Sequence, residues 1–360
     1  MNGTLITGFP GFIAGRLVER LLADADDGPW YFLVEPRFVF AAQRRCEALA
    51  SRWPKFAERW FIVPGDIRQP DLGLTASVRD RIAAEVRQVW HLAAVYDLAI
   101  DSATARAVNI DGTLHVLDLC QRLPRLHRLL YISTCFVAGD RSGVVYEDEL
   151  DRGQGFRNHY EATKFAAEQQ VRQRMADVPT VILRPAVVVG DSRTGEMAKG
   201  DGPYFVMRLL LRLPRWVPMI RPGPCAAAVN LVPVDVLVDA MARLAAHPQA
   251  LGRTFHLADP TPRSAAWLLD GMIEAMGRAP AVATLPQALV SPLFDRPKVR
   301  AMTGVPGELI RYFNHDVRFD VRNTAELLAD SSLRWPDLAD YLPRLVGWAA
   351  DHTDQLGVAS

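Results

Sequence analysis

A tyrosine and a lysine four residues apart are the first candidates for chemistry in this sequence. Asn158-His159-Tyr160-Glu161-Ala162-Thr163-Lys164 carries the spacing Tyr-x-x-x-Lys, and on a helix positions i and i+4 share one face. A phenol with an ordinary pKa of about 10 becomes a usable acid–base group when a cation is held beside it. An ordinary exposed helix face gives the same spacing by chance, so the pair needs support. Tyr131-Ile132-Ser133-Thr134-Cys135-Phe136 supplies it, as a strand that ends in adjacent hydroxyls. Thr134, with Ser133 as second choice, is placed to hold a carbonyl oxygen beside the tyrosine. Taken alone, the segment reads as a Ser-Thr turn; taken in order with the tyrosine and lysine, it reads as part of a site.

The N-terminal turn points to a cofactor. Thr7, Gly8, Phe9, Pro10, Gly11, Phe12 and Ile13 follow a strand and open a helix. Gly8, Gly11 and Ala14 fit a GxxGxxG/A pattern, whose small residues let backbone N–H groups approach a pyrophosphate at a helix N-terminus. Glu35 ends the second strand, 21 residues after Ala14. An acidic group there suits the ribose hydroxyls of NAD and repels a 2′-phosphate. Arg37, Arg44 and Arg45 follow and can neutralise one, so NADP(H) and NAD(H) both stay open, with NADPH marginally preferred. Asp66, beside Ile67, closes the third strand and is placed for the adenine edge or as a turn residue.

The elements that must position these groups alternate. Strands are expected at residues 4–7, 31–34, 61–63, 88–92, 129–133 and 180–183, and helices at 16–25, 40–51, 77–85, 103–120 and 160–175. Short, continuous apolar strands alternating with helices read as a doubly wound, Rossmann-type parallel α/β sheet with helices on both faces. After residue 190 Pro and Gly become frequent, and helical patterns return at 234–246, 264–276 and 338–351. Residues 1–190 are thus expected to form the NAD(P)-binding domain. Residues 191–360 are expected to form a smaller, mostly helical C-terminal lid, with about 230–258 returning to the Rossmann core.

Composition narrows the classes. Lys+Arg and Asp+Glu are both 41, for a net charge of zero, whereas a general nucleic-acid binder carries a basic excess. The four cysteines are widely spaced without a CxxC pair, which suggests neither a zinc site nor a disulfide framework. No signal peptide and no spanning apolar run are read, and the expected location is cytoplasmic. No metal-ligand cluster is read.

The motifs together resemble an extended short-chain dehydrogenase/reductase. The resemblance rests on the glycine turn, His91-Leu92-Ala93-Ala94, Asn109 in Val108-Asn109-Ile110-Asp111-Gly112-Thr113, the Thr134 segment, Tyr160/Lys164 and Leu183-Arg184-Pro185. Gly65-Asp66-Ile67, Val189-Gly190-Asp191 and Gly202-Pro203-Tyr204 are similar to the fatty acyl-CoA reductase and thioester reductase branch, the male-sterility type. The resemblance implies that Thr134, Tyr160 and Lys164 are catalytic, with Asn109 on a water path that returns the proton. It implies that Gly8, Gly11, Asp66, Leu92, Ala93, Ala94, Pro185, Val187 and Val188 line the cofactor. That branch usually has an arginine where this chain has Glu35.

The expected activity is NAD(P)H-dependent reduction of a lipophilic carbonyl, either acyl thioester to aldehyde or aldehyde or ketone to alcohol. Residues 205–217 read FVMRLLLRLPRWV, an apolar wall whose Arg208, Arg212 and Arg215, with Arg221 beyond, suit coenzyme A or a phosphopantetheine arm on a carrier protein. The same stretch reads as a packed lid helix or a membrane-surface contact. Trp216, Phe294, Tyr312 and Phe313 are further pocket candidates. A nucleotide-sugar epimerase or dehydratase with tightly bound NAD, and a weakly catalytic NAD(P)-binding regulator, are the rival readings. A homodimer is possible by analogy with the fold.

Overall fold

The computed structural model describes residues 3–24, 28–96, 100–198, 200, 202–294, 296, 298–299, 303 and 311–354. Ala25 and Asp201, which fall in segments singled out in the sequence, lie outside the described residues.

Seven parallel strands form the central sheet: β1 (Gly3–Thr7), β2 (Trp30–Val34), β3 (Trp60–Pro64), β4 (Val86–His91), β5 (Arg128–Ile132), β7 (Thr180–Pro185) and β12 (Thr254–Leu257). Their spatial order is β12-β7-β5-β4-β1-β2-β3. The order reverses between β1 and β4, and that switch point opens the crevice where α/β sheets bind ligands. Strands β1, β2, β7 and β12 are buried at every residue. Their unbroken apolar character is what burial on two faces requires. Strand β3 ends on Pro64 at the sheet edge, where a missing N–H costs no ladder bond.

Helices α1 (Phe12–Leu22), α2 (Val39–Arg52), α8 (Val234–Ala246) and α11 (Arg322–Leu328) share one core with the sheet. Helices α3 (Ala76–Glu85), α5 (Gly112–Gln121) and α6 (His159–Gln173) share the other. A third core joins α7 (Pro203–Arg212), α9 (Ala265–Ala275) and α12 (Leu338–Asp351) into the lid.

Three expectations need correction. The single helix expected at 103–120 is α4 (Ser102–Arg106) and α5 joined by a π turn at Ala107–Asp111, with Asn109 inside it. π turns interrupt helices at functional sites because they re-aim one residue. Residues near 230–234 do not rejoin the main sheet: β11 (Leu231–Pro233) pairs with β8 (Val187–Val189), and only β12 adds to the seven strands. The lid is also less purely helical than expected. Strand β9 (Ile220–Pro222) pairs with β14 (Ala283–Leu285), β10 (Ala228–Val229) with β13 (Arg263–Ser264), and β6 (Gly143–Val145) with β15 (Val317–Phe319).

One buried ion pair ties these layers where the site forms. Arg184 on β7 and Glu168 on α6 are both fully buried and meet twice, Nε to Oε2 at 3.0 Å and Nη2 to Oε1 at 2.6 Å. Ser133, just beyond β5, donates to Glu168 Oε2 at 2.6 Å. The remaining Arg184 donors reach His256 Nε2 on β12 and the Glu149 carbonyl. Burial pushes the Glu168 carboxyl up, but Arg184 outweighs it and brings it down to about 2.

A buried charge left without its partner costs far more than the pair gains. Glu168→Leu, which strands the Arg184 guanidinium, is expected to lower unfolding free energy by about 3–5 kcal/mol in a denaturant titration. The sign with pH follows from the depressed native value. Glu168 contributes fully above its ordinary 4.5, and that contribution fades as pH falls towards 2. The variant should show a flatter acid limb than the wild type.

Candidate active site

The glycine turn becomes a bare backbone cradle. Gly8 has φ +86°, and a Cβ there would stand 2.8 Å from the Ala93 amide nitrogen; a Cβ on Gly11 would stand 2.7 Å from the Gly8 carbonyl. The turn is therefore packed against the chain leaving β4 with no room for side chains. It leads into α1, whose N-cap Gly11 offers no capping side chain. Unsatisfied first-turn N–H groups and the positive end of the helix dipole suit a pyrophosphate. These residues fit a dinucleotide.

Two residues of the turn act differently from their neighbours. Phe9 is buried with its ring 4.3 Å from Phe32, and so contributes through its backbone. The Thr7 hydroxyl is also turned inward. It accepts from the Ala93 N–H at 3.1 Å and meets His91 Nδ1 at 2.8 Å. His91 Nε2 meets Thr113 at 3.1 Å, and the Thr113 hydroxyl donates to the Asn109 carbonyl at 2.7 Å. The network thus puts the ring proton on Nε2. Burial and the nearby Lys164 push the imidazole down to about 3. It is a neutral strut that fixes the Leu92-Ala93-Ala94 segment.

Beyond β2 and β3, Glu35 and Asp66 come together through a residue that the sequence reading passed over. Arg68 reaches Glu35 at 3.2 Å and Asp66 at 2.7 Å, while Arg37 reaches Glu35 at 3.0 Å. The Arg68 guanidinium holds the Asp66 carboxyl below its ordinary range. Arg45 pairs with Glu19, and Arg44 is exposed beside Phe40. Ile67 packs on Gly112.

Tyr160, Lys164 and Thr134 converge under the ends of β5 and β7. Asn158 caps α6 by accepting from the Glu161 N–H at 2.9 Å, which places Tyr160 in the first turn. The buried Tyr160 hydroxyl is pushed up to about 12 by burial, with the Thr134 hydroxyl pulling against it. It therefore keeps its proton through the neutral range. Thr134 is also tied to the Pro185 carbonyl and the Phe136 N–H. Ser133 is committed to Glu168.

Lys164 does not sit as the sequence suggested. Its ammonium donates to the Ile132 carbonyl at 2.7 Å and to the Tyr131 hydroxyl at 3.2 Å, 4.6 Å above the Tyr131 ring centre. A buried ammonium must find acceptors, and the end of β5 provides them. Burial still brings it down to about 7, against the pull of Glu168. Asn109 also differs: its amide is already engaged, accepting from the Val95 N–H at 2.9 Å and donating to Val95 and Thr163. It clamps the β4 exit to α6.

An apolar cavity of about 110 Å³ opens on Tyr160. Val187, Phe205, Leu231, Leu268 and Phe313 wall it, with Pro203 at the start of α7. Tyr96 stands edge-on to Tyr160, with ring centres 4.9 Å apart. Tyr312 enters from the lid, edge-on to Phe136, and donates to the buried Glu161 carboxylate. Trp216 and Phe294, which the sequence put forward with Tyr312 and Phe313, are not on this wall. Arg208 is buried against Phe205 instead of standing on a wet rim.

Asn109→Leu is expected to lower stability by about 1–3 kcal/mol, because the Val95 and Thr163 groups lose their partners. It should also loosen the β4 exit, read as faster amide exchange at Val95. Unchanged exchange there would contradict the clamp.

Comparison with known proteins places this geometry. The family model described as male sterility protein, an NAD-binding domain, matches residues 6–241. A fatty acyl-CoA reductase of Drosophila melanogaster, wat, is 26% identical over 274 residues, covering 67% of this chain and 53% of that protein. The chain thus spans about half the length of that curated relative. The crystal structure of the terminal R domain from the myxalamid PKS-NRPS biosynthetic pathway superposes with a TM-score of 0.81 at 26% identity, covering 98% of this chain and 91% of that one. A UDP-glucuronic acid 4-epimerase of Bacillus cereus, in complex with NAD, shares the fold at a TM-score of 0.65 and 19% identity, covering 97% and 99%. With the cradle at the switch point and Tyr160 and Lys164 on α6, the chain belongs to the male sterility family of NAD(P)-binding domains on the extended short-chain dehydrogenase fold.

Proposed function

We propose that this protein reduces a lipophilic acyl thioester to an aldehyde with NADPH or NADH, in the cytoplasm, with the acyl group carried on coenzyme A or a carrier protein. The single observation that carries the reading is the apolar cavity that ends on Tyr160 beside Thr134. A sugar nucleotide needs a ring of polar partners, whereas this wall is mainly Val, Leu, Phe and Tyr, which suits an acyl chain.

A nicotinamide cofactor held in the cradle supplies the hydride. Thr134 and Tyr160 hold the carbonyl oxygen by hydrogen bonds. As negative charge develops on that oxygen, Tyr160 gives up its proton, which its raised pKa has kept in place. From a thioester the product is a hemithioacetal, which breaks its carbon–sulfur bond to give aldehyde and thiol. We assign the return of the proton to Lys164, one turn along α6 from Tyr160 and bonded to the Tyr131 hydroxyl. An aldehyde substrate gives an alcohol with the same groups.

The neutral balance of Glu35 and Asp66 against Arg37 and Arg68 removes the repulsion that Glu35 alone would exert on a 2′-phosphate. We take NADPH as the preferred donor on that ground.

The test follows NADPH and NADH oxidation with a long-chain acyl-CoA and the matching aldehyde. Tyr160→Phe should lower turnover by about 10²–10⁴-fold while cofactor binding, read by fluorescence, is retained. Full activity in that variant would sink the assignment. So would a protein that purifies with bound NAD and interconverts nucleotide sugars without net cofactor use. Arg68→Ala should reduce kcat/KM for NADPH more than for NADH. An equal reduction would contradict the charge argument.

A further inference from the structure

Six of the twelve exposed large hydrophobic side chains among the described residues gather on one unit of the lid: Trp216, Ile220, Val282, Leu285, Leu289 and Leu293. The unit is a parallel pair, β9 and β14, followed by α10 (Gln287–Phe294). Val282 donates to the Met219 carbonyl at 2.9 Å and Gly223 to the Leu285 carbonyl at 2.7 Å. The loop carrying Trp216 is fixed from beneath. The buried Arg278 guanidinium bonds the Leu210, Leu213 and Pro214 carbonyls at 3.0, 2.8 and 2.8 Å. These side chains are therefore held outward by built structure: Trp216 is 82%, Leu289 69% and Val282 68% exposed.

The charge around them is one-sided. The whole chain has equal acid and base, yet residues 203–234, which hold β9 and the α7 helix leading to it, contain no Asp or Glu, and residues 278–298 contain one, Asp295. Arg212, Arg215, Arg296 and Lys298 are exposed and form no ion pair among the described residues. Asp270, reaching in from α9, is neutralised by a two-pronged bond from Arg221 at 2.7 and 2.6 Å. An apolar face rimmed by unpaired cations matches a surface that is apolar inside and anionic outside.

We infer that this face rests on an anionic lipid surface, with the aliphatic side chains and Trp216 at the acyl boundary and the cations among the headgroups. Trp216 and the arginines are types that also serve protein interfaces, but the five aliphatic protrusions beside them include Leu and Val, which are under-represented among the residues that carry binding energy there. They are well suited to immersion, which needs no matching shape. Among the described residues no helix is long and apolar enough to cross a membrane, so the contact is a surface one. Helix α7 joins this face to the cavity. Pro203 and Phe205 line the cavity, and Arg212, nine residues after Pro203 on the same helix, stands at the lipid face. That separation is about 13 Å, a short path for an acyl chain leaving a bilayer. The contact itself is independent of the reductase reading.

The test is flotation of the purified full chain with vesicles of phosphatidylcholine alone and of equal parts phosphatidylcholine and phosphatidylglycerol. The expected result is flotation with the anionic vesicles only, weakened by added salt. The double variant Trp216→Ser/Leu289→Glu and the double variant Arg212→Gln/Arg215→Gln should each reduce partitioning by about tenfold or more. Their Tm should stay at the wild-type value, since these side chains are exposed. Turnover of a soluble short-chain aldehyde should also be unchanged, which separates this inference from the catalytic one. Absence of flotation with the anionic vesicles overturns it, and so does flotation indifferent to both variants. A variant that loses turnover only with a carrier-protein thioester, while still floating, would assign the face to a protein. A variant that converts a dimer to a monomer in sedimentation, without altering flotation, would assign it to a second copy of the chain.

Discussion

The buried pair between Arg184 and Glu168 is the constraint on which the site depends. It joins β7 to α6 and, through Ser133 and His256, draws in the end of β5 and β12. Glu168 lies one helical turn beyond Lys164 and two beyond Tyr160, so fixing Glu168 fixes the rotation of the helix that carries both. Two charges removed from water are tolerated because nearly every donor and acceptor around them is used. The same contact fills the Ser133 hydroxyl and leaves Thr134 to face Tyr160. Positioning and chemical selection thus come from one network.

The cradle depends on a second, quieter constraint. Neutral His91 bridges Thr7 and Thr113, and Asn109 holds Val95, so the chain leaving β4 is fastened on two sides. The backbone at Ala93 is then close enough to Gly8 that no side chain fits between them. Burial also tunes the groups beyond the cradle. It raises Tyr160 so that the phenol holds its proton, and lowers Lys164 into the neutral range. The phenol is thus protonated at neutral pH, though a weaker acid than a free tyrosine, while the lowered ammonium gives up its proton more readily.

Much of this was legible in the sequence because it is local. Apolar runs between helical patterns located the strands, and the glycine turn and Tyr160/Lys164 carry their chemistry in short spacings. What escaped was pairing across the chain. Arg68 reaches Glu35 over 33 residues and Tyr312 reaches Glu161 over 151, distances at which no spacing rule operates. Signals did exist for some of it. Arg184 is the only charge in the strand Thr180–Pro185 and needed a buried carboxylate, and Glu168 stood four residues after Lys164. Lys164 was misplaced because i and i+4 spacing sets a shared face but not the atom that an ammonium bonds. Trp216 was misread as a pocket residue because apolar character alone does not distinguish a wall from an outer face.

The lid completes the account by supplying what the Rossmann core lacks, an apolar enclosure over Tyr160. The most direct measurement is the fate of the transferred hydrogen. The protein is incubated with a long-chain acyl-CoA and NADPH deuterated at the transferable position, and the products are read by mass spectrometry. The account predicts one deuterium on the former carbonyl carbon of the aldehyde or alcohol, with free coenzyme A released in equal amount. Coenzyme A released without deuterium in the acyl product, as in simple hydrolysis, would contradict it.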